Sequence, residues 1–339
     1  MRFSERAQVR FPSWIVLSFF FTSISAFAGG GVSKNFERDF IRRSDRPENY
    51  ETPLEVFNQL YTPANRFFVR SHLPVIPEID VREWKLELGG PGVEKPIILS
   101  MDELKTQFEQ VEVPALALCA GNRRAQFDPR VPGVQWESGA MGNARWKGVR
   151  LGDILKRAGV KKEAVEISMN GADQPVLPGT PDFIKSIPLS KAMDESTLIA
   201  YELNGQPLPQ SQGYPARVVV PGWVATYWMK QVVSLQVLTQ PEEGYWMKKA
   251  YRLQKGLFPS LERAFESQNN EAQVPVAEIV VNSLVTNLKS GQKVQVDRPI
   301  EVQGVAWDGG HGIQKVEVSL DGVSTWASAR MGQDVGRFS

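Results

Sequence analysis

Residues 84–88 alternate apolar and polar side chains, with Trp84, Leu86 and Leu88 on one face and Lys85 and Glu87 on the other, the period of a half-buried strand. Ser100 and Glu103 stand at capping-box spacing, which predicts the start of a helix containing Leu104 and Phe108. Residues 111–119 form an apolar run with Pro114 inside it, ending at Cys119 and followed by Ala-Gly-Asn-Arg-Arg124. That pattern predicts a buried strand opening into a polar loop. Helical spacing over 151–158 with Gly159 as C-cap, a strand over 164–169 and a short helix over 188–193 follow. Arg217-Val-Val-Val220 before Pro221-Gly222, and residues 230–238, read as two buried strands joined by the aromatic loop 223–228. Strands and helices mix without strict βαβ alternation, so residues 67–266 are expected to form an α+β domain.

From Val274 the pattern changes to short alternating segments at 277–281, 293–296, 300–307, 314–320 and 325–330, separated by Asp-Gly and Gly-Gly turns. They predict an immunoglobulin-like β-sandwich over 272–339, incomplete because such a domain takes about 100 residues and seven strands. Residues 29–66 are polar and read as an extended lead-in over the domain surface, with one helical candidate at 53–60. At the N-terminus, Arg2, Arg6 and Arg10 precede an apolar stretch from Trp14 that ends at Ala26-Phe-Ala28. Residues 1–28 therefore read as a signal peptide. A membrane anchor is the alternative, but Ser18, Thr22, Ser23 and Ser25 interrupt a stretch already shorter than the ~20 apolar residues of a span. The expected location is the periplasm, with no membrane segment after cleavage.

Composition narrows the chemistry. In 339 residues, 39 Lys and Arg against 38 Asp and Glu leave a net charge of +1, so no global field draws the chain to nucleic acid. One cysteine, Cys119, and two histidines, His72 and His311, cannot build a structural zinc site, an iron–sulfur cluster or a covalent c-type haem. Neither H-E-x-x-H nor G-x-S-x-G occurs. Cys119 is then either an inert core thiol or a group held by something other than sulfur. The adjacent Arg123 and Arg124 favour a lowered thiol pKa and an oxyanion site.

Four motifs, in this order along the chain, resemble the sulfite oxidase family, most of all its bacterial periplasmic sulfite dehydrogenases: Phe68-Val-Arg-Ser-His72, Cys119-Ala-Gly-Asn-Arg-Arg124, Asn204-Gly-Gln-Pro-Leu-Pro209 and Gly213-Tyr-Pro-Ala-Arg217-Val-Val-Val-Pro-Gly222. The resemblance covers roughly residues 50–339. It implies a molybdopterin-binding domain at 67–266, an immunoglobulin-like dimerisation domain at 272–339, and a molybdenum cofactor, molybdenum–molybdopterin, with Cys119 as the one protein ligand to the metal. It implies that Arg70 and Arg124 bind the substrate anion, that Tyr251 is an active-site tyrosine, and that His72 lies near the cofactor. Phe68, Val69, Arg70, Ser71, His72, Asp173, Gln212, Arg217, Trp228, Met229 and Lys230 are the implied cofactor contacts. Gln212 departs from the histidine of vertebrate members, so an amide is expected to serve as the donor there. The implied reaction oxidises sulfite to sulfate, with electrons leaving to a separate c-type cytochrome, in a homodimer or a heterodimer with a cytochrome subunit. Two other readings are a reductive relative, the periplasmic methionine sulfoxide reductase subunit, and a non-catalytic secreted scaffold. The C-terminal sandwich argues against the first; joint retention of Cys119, Arg70, Arg124 and Tyr251 argues against the second.

Overall fold

The computed structural model describes residues 40–295 and 297–339. Strands β1 (Ile41–Ser44), β2 (Asn49–Glu51) and β3 (Val69–Arg70) form a small antiparallel sheet in which Asn49 pairs with Arg70. A five-stranded sheet has the order β5 (Ile97–Ser100), β4 (Lys85–Gly89), β13 (Val232–Leu238), β8 (Glu166–Gly171), β9 (Lys185–Pro188); only the β4–β13 pair is parallel. The other large sheet is built on β6 (Gln110–Leu118), which pairs with β7 (Met141–Arg150) along its whole length. β10 (Leu198–Leu203) lies beyond β7 and carries β11 (Gln206–Pro207) and β12 (Arg217–Val219).

The helices are short and sit at turns between strands. α1 (Met101–Gln107) begins with the predicted capping box: the Ser100 hydroxyl accepts from Glu103 N, and the Glu103 carboxylate accepts from Ser100 N at 2.8 Å. Phe108 falls just past its end as the C-cap. α2 (Leu151–Ala158) buries Leu151, Ile154 and Leu155 and stops at Gly159, whose φ of 71° is left-handed. α3 (Leu189–Ala192) is the expected short helix. Trp136, Trp146 and Trp228 are at most 2% exposed and are the largest fully buried side chains of the core.

Two expectations change. Where the structure describes it, the lead-in is built into the larger domain, because Glu51 is buried and accepts from Gly139 N at 2.5 Å and Arg43 Nε at 2.6 Å. The helical candidate there forms a 3₁₀ turn, Leu54–Asn58. The signal peptide lies outside the described residues.

Beyond β14 (Arg252–Gln254) and its partner β15 (Gln273–Pro275), the described C-terminal residues form two two-stranded ladders, not a closed sandwich. These are β16 (Asn282–Val285) with β17 (Gly304–Trp307), and β18 (Glu317–Val318) with β19 (Ala327–Ser328). Residues 277–281 and 293–295 make no strand, and Val296 lies outside the described residues. A sandwich needs each inner face covered by an opposing sheet. Here Val281, Leu320 and Trp326 are 55% exposed or more. The tail returns to the larger domain: Phe338 lies parallel to β6 opposite Ala115, and Leu116 N donates to its carbonyl at 2.8 Å.

Candidate active site

Cys119 is the first residue past β6, where the strand delivers it to the wall of a cleft. Its backbone N–H still donates to Ala140 O, and its sulfur accepts from Gly121 N at 3.4 Å. The same cleft is lined by Phe68, Arg70, Ser71 and His72 from the end of the small sheet, and by Asp173, Gln212, Arg217, Trp228, Met229, Lys230 and Tyr251. Positions far apart in sequence, from Phe68 through Arg217 at the start of β12 to Tyr251, are thus drawn to one cavity.

Cations dominate the wall. Arg70 donates to Asn49 Oδ1 at 3.2 Å and to the Ser71 carbonyl. Lys230 Nζ donates to Ser71 Oγ at 3.3 Å and Ser211 O at 3.1 Å; burial, with Arg217 nearby, lowers its pKa to about 7. Arg217 lies over the Trp146 and Trp228 rings and donates to the carbonyls of Gln212 and Trp228; burial lowers its pKa to about 9. Asp173 is the one carboxylate on the wall, and burial raises its pKa.

His72 and Tyr251 form a pair, with Nε2 and the phenol oxygen 2.5 Å apart. Burial, then the charges of Arg70, Lys230 and Lys185, hold the imidazole well below its ordinary pKa, so it is neutral near pH 7. Burial raises the Tyr251 pKa, so the phenol keeps its proton and donates to Nε2. Tyr251 adopts φ 55°, left-handed and costly for a side chain of this size. The imidazole stacks on Phe183 at 3.6 Å between centroids and meets the edge of Trp246. Sequence alone does not single out Phe183, Trp246 or Thr226, because aromatic and hydroxyl residues at these spacings look like ordinary core.

Four site expectations are corrected. Val69 points away from the cleft, since alternation along β3 sends it opposite to Phe68 and Arg70, and it is 2% exposed. Arg124 does not line the cleft. Its guanidinium fills the slot left by Gly121 and Gly133, either of which would put a Cβ within 2.8 Å of it, and donates to Val134 O at 3.2 Å. The Gln212 amide donates to the Phe67 and Phe68 carbonyls at 3.2 and 2.8 Å, so it braces the strand that carries Arg70 instead of offering a donor to a ligand. The Cys119 pKa is raised, because burial outweighs Arg70, the Gly121 N–H and Arg124. Arg123, for its part, turns to the C-terminal ladder, donating to Asn282 Oδ1 at 2.8 Å and Ser283 O at 2.7 Å.

The residues fit a phosphate-bearing pterin with a thiolate-bound metal. Arg217 Nε is buried on the cleft wall without a hydrogen-bond partner, and the surplus of cations suits an anion. Among the described residues no three His, Cys, Asp or Glu side chains converge, so a metal at Cys119 must bring its remaining ligands with it.

Comparison with known proteins agrees with this chemistry. Residues 72–246 match the family described as "Oxidoreductase molybdopterin binding domain", and residues 273–338 match "Mo-co oxidoreductase dimerisation domain". The chain is 37% identical over 298 residues to mitochondrial sulfite oxidase of Homo sapiens, covering 85% of this chain and 52% of the relative. It is 33% identical over 323 residues to the NADH nitrate reductase of Solanum lycopersicum, covering 88% and 34%. The chain thus spans about half the length, or less, of these curated relatives. Among solved structures, the sulfane dehydrogenase SoxCD from Paracoccus pantotrophus superposes with a TM-score of 0.73 at 27% identity, covering 90% of this chain and 77% of that one. With a molybdopterin-binding domain built around a single cysteine, followed by the matching dimerisation segment, the chain belongs to the sulfite oxidase family.

Proposed function

We propose that this chain is a sulfite-oxidising enzyme. The observation that carries the reading is the convergence of Cys119, Arg70 and the His72–Tyr251 pair on one cationic cleft. Sulfite plus water gives sulfate, two protons and two electrons. A molybdenum pterin, when bound, supplies the two-electron redox chemistry; Cys119 would hold its metal, and Arg217, Lys230 and Asp173 its phosphate and ring.

The chain's own groups handle the anion. Arg70 is fixed by Asn49 and Ser71, so its remaining donors are oriented before substrate arrives, and an oriented guanidinium in a partly desolvated cleft binds an oxyanion more strongly than in water. Tyr251 directs its proton to His72 Nε2, and the neutral imidazole adds no charge that would hold product sulfate. Electrons leave to a separate c-type cytochrome in the periplasm; the apolar, arginine-led stretch of residues 1–28 supports export. The C-terminal unit serves in dimerisation, a role supported by its match to dimerisation domains.

The test is sulfite-dependent reduction of a c-type cytochrome by chain purified from a cofactor-producing host. Turnover with sulfite supports the reading. Turnover only with nitrate or methionine sulfoxide as electron acceptor reassigns the cleft to reductive chemistry, and a folded, molybdenum-loaded protein inert to sulfite overturns it.

A further inference from the structure

Lys185 opens β9 behind the aromatic wall of the cleft and is fully buried, yet it does not line the cavity. The charge acting on it is the like charge of Arg252, and burial lowers its pKa to about 7. An apolar side chain of similar volume would fill such a space without the desolvation cost of an ammonium. Packing alone therefore does not explain a lysine here.

Its contacts give a reason. Nζ donates to the Trp246 carbonyl at 2.8 Å and sits 4.4 Å from the Tyr227 ring centroid and 5.4 Å from that of Tyr251. Trp246 belongs to α4 (Tyr245–Lys248), a helix so short that its terminal carbonyls need outside donors. Ala250 N donates to Tyr245 O, not to Trp246 O, and Arg252 Nη1 donates to Met247 O at 2.8 Å. Lys185 and Arg252 thus satisfy neighbouring carbonyls of one turn. The chain then passes through the left-handed backbone of Tyr251, which swings the phenol onto His72.

We propose that Lys185 is a positioning residue for Tyr251: by holding the Trp246 carbonyl, with its Nζ against the Tyr227 and Tyr251 rings, it fixes the turn that sets the phenol-to-His72 hydrogen bond. The inference rests on the reading of Tyr251 as an active-site group. The groups facing His72 are Arg70 from β3, Lys230 ahead of β13, Lys185 from β9 and Tyr251, with neutral Phe183 and Trp246 completing the surround. Removing Lys185 withdraws one of the three positive charges that add to burial in lowering the imidazole pKa.

With only two histidines in the chain, ¹⁵N-histidine NMR of the full, cofactor-loaded protein reports His72 directly once His311→Gln has assigned the other signal. In wild type, His72 Nε2 should show the shift of a hydrogen-bond acceptor and titrate below free histidine. Lys185→Met should weaken that signature, move the midpoint up, and lower kcat for sulfite about tenfold with KM changed less than about twofold. Lys185→Arg, which keeps donor and charge, should restore both readouts. Should Lys185→Met fail to fold, Lys185→Gln carries the charge test, with the same upward midpoint shift expected. A folded Lys185→Met or Lys185→Gln whose His72 signal matches wild type overturns the inference, as does a Lys185→Arg as impaired as Lys185→Met. If the His72 signal responds but wild type does not oxidise sulfite, the positioning role stands and the functional reading fails. Wild-type turnover with an unresponsive His72 means the opposite: the functional reading stands and the positioning role fails.

Discussion

Arg70 joins structure to chemistry in a single side chain: the Asn49 amide oxygen and the Ser71 carbonyl hold one edge of its guanidinium, and the cleft receives the rest. Arg70→Gln should raise KM for sulfite about a hundredfold, because a charge-assisted donor in a desolvated site is lost, while kcat falls less. Steady-state kinetics at fixed ionic strength checks this, and an unchanged KM would remove Arg70 from substrate binding. At this scale the sequence is informative wherever a residue type is scarce. One cysteine and a histidine two residues from an arginine are legible as a site, and all three line the cleft. Directions of side chains are not legible. Gln212 and Arg124 have the right chemistry for ligand contact, but backbone carbonyls at Phe67, Phe68 and Val134 engage them, and no spacing rule reveals those partners. The same holds for Cys119, whose neighbours in sequence are arginines but whose pKa is governed by its burial.

Among the elements, those that carry their own start and stop signals form where expected. The capping box at Ser100 is one, and Ser100→Ala should cost about 1 kcal/mol of stability, measured by denaturant unfolding. The left-handed Gly159 that ends α2 is another. The C-terminal segments have turns between them but no caps of this kind. Alternation over 315–320 is as clean as at 84–88, yet only Glu317–Val318 pair there, because a strand of that length persists only where a neighbour supplies its ladder. Of the two ladders that form, β16–β17 is tied to the loop after β6 by Arg123, whose guanidinium also lies 5.8 Å from the Trp307 ring. Arg123→Ala should destabilise by roughly 1–3 kcal/mol and speed amide exchange across 282–285. Exchange rates there equal to wild type would show that the ladder holds without the loop.

For the molecule as a whole, the cleft concentrates buried cations, and this sets how stability of the cofactor-free protein varies with pH. Lys185 and Lys230 sit at about 7 when folded against an ordinary 10.5. Between those values the unfolded chain binds more protons than the folded one, so stability rises with pH. Cys119, raised above 9.0, holds one proton more in the folded chain beyond that point and so slows the rise without reversing it. Denaturant midpoints of the cofactor-free chain should therefore climb from pH 7 to pH 9, and climb less in Lys185→Met; a flat profile would mean that neither lysine loses its proton on folding. The long-range assembly that makes this cleft, with Arg70, Cys119, Arg217 and Tyr251 arriving from separate elements, is what local sequence patterns cannot encode, and the family resemblance supplies it.

The most direct test is elemental analysis for molybdenum in chain purified from a cofactor-producing host, with Cys119→Ser purified beside it. About one molybdenum per wild-type chain, accompanied by sulfite turnover, and loss of metal or of turnover in Cys119→Ser is the predicted result. A folded wild type without molybdenum, or a Cys119→Ser variant with the same metal content and the same turnover, would contradict a molybdenum site at Cys119.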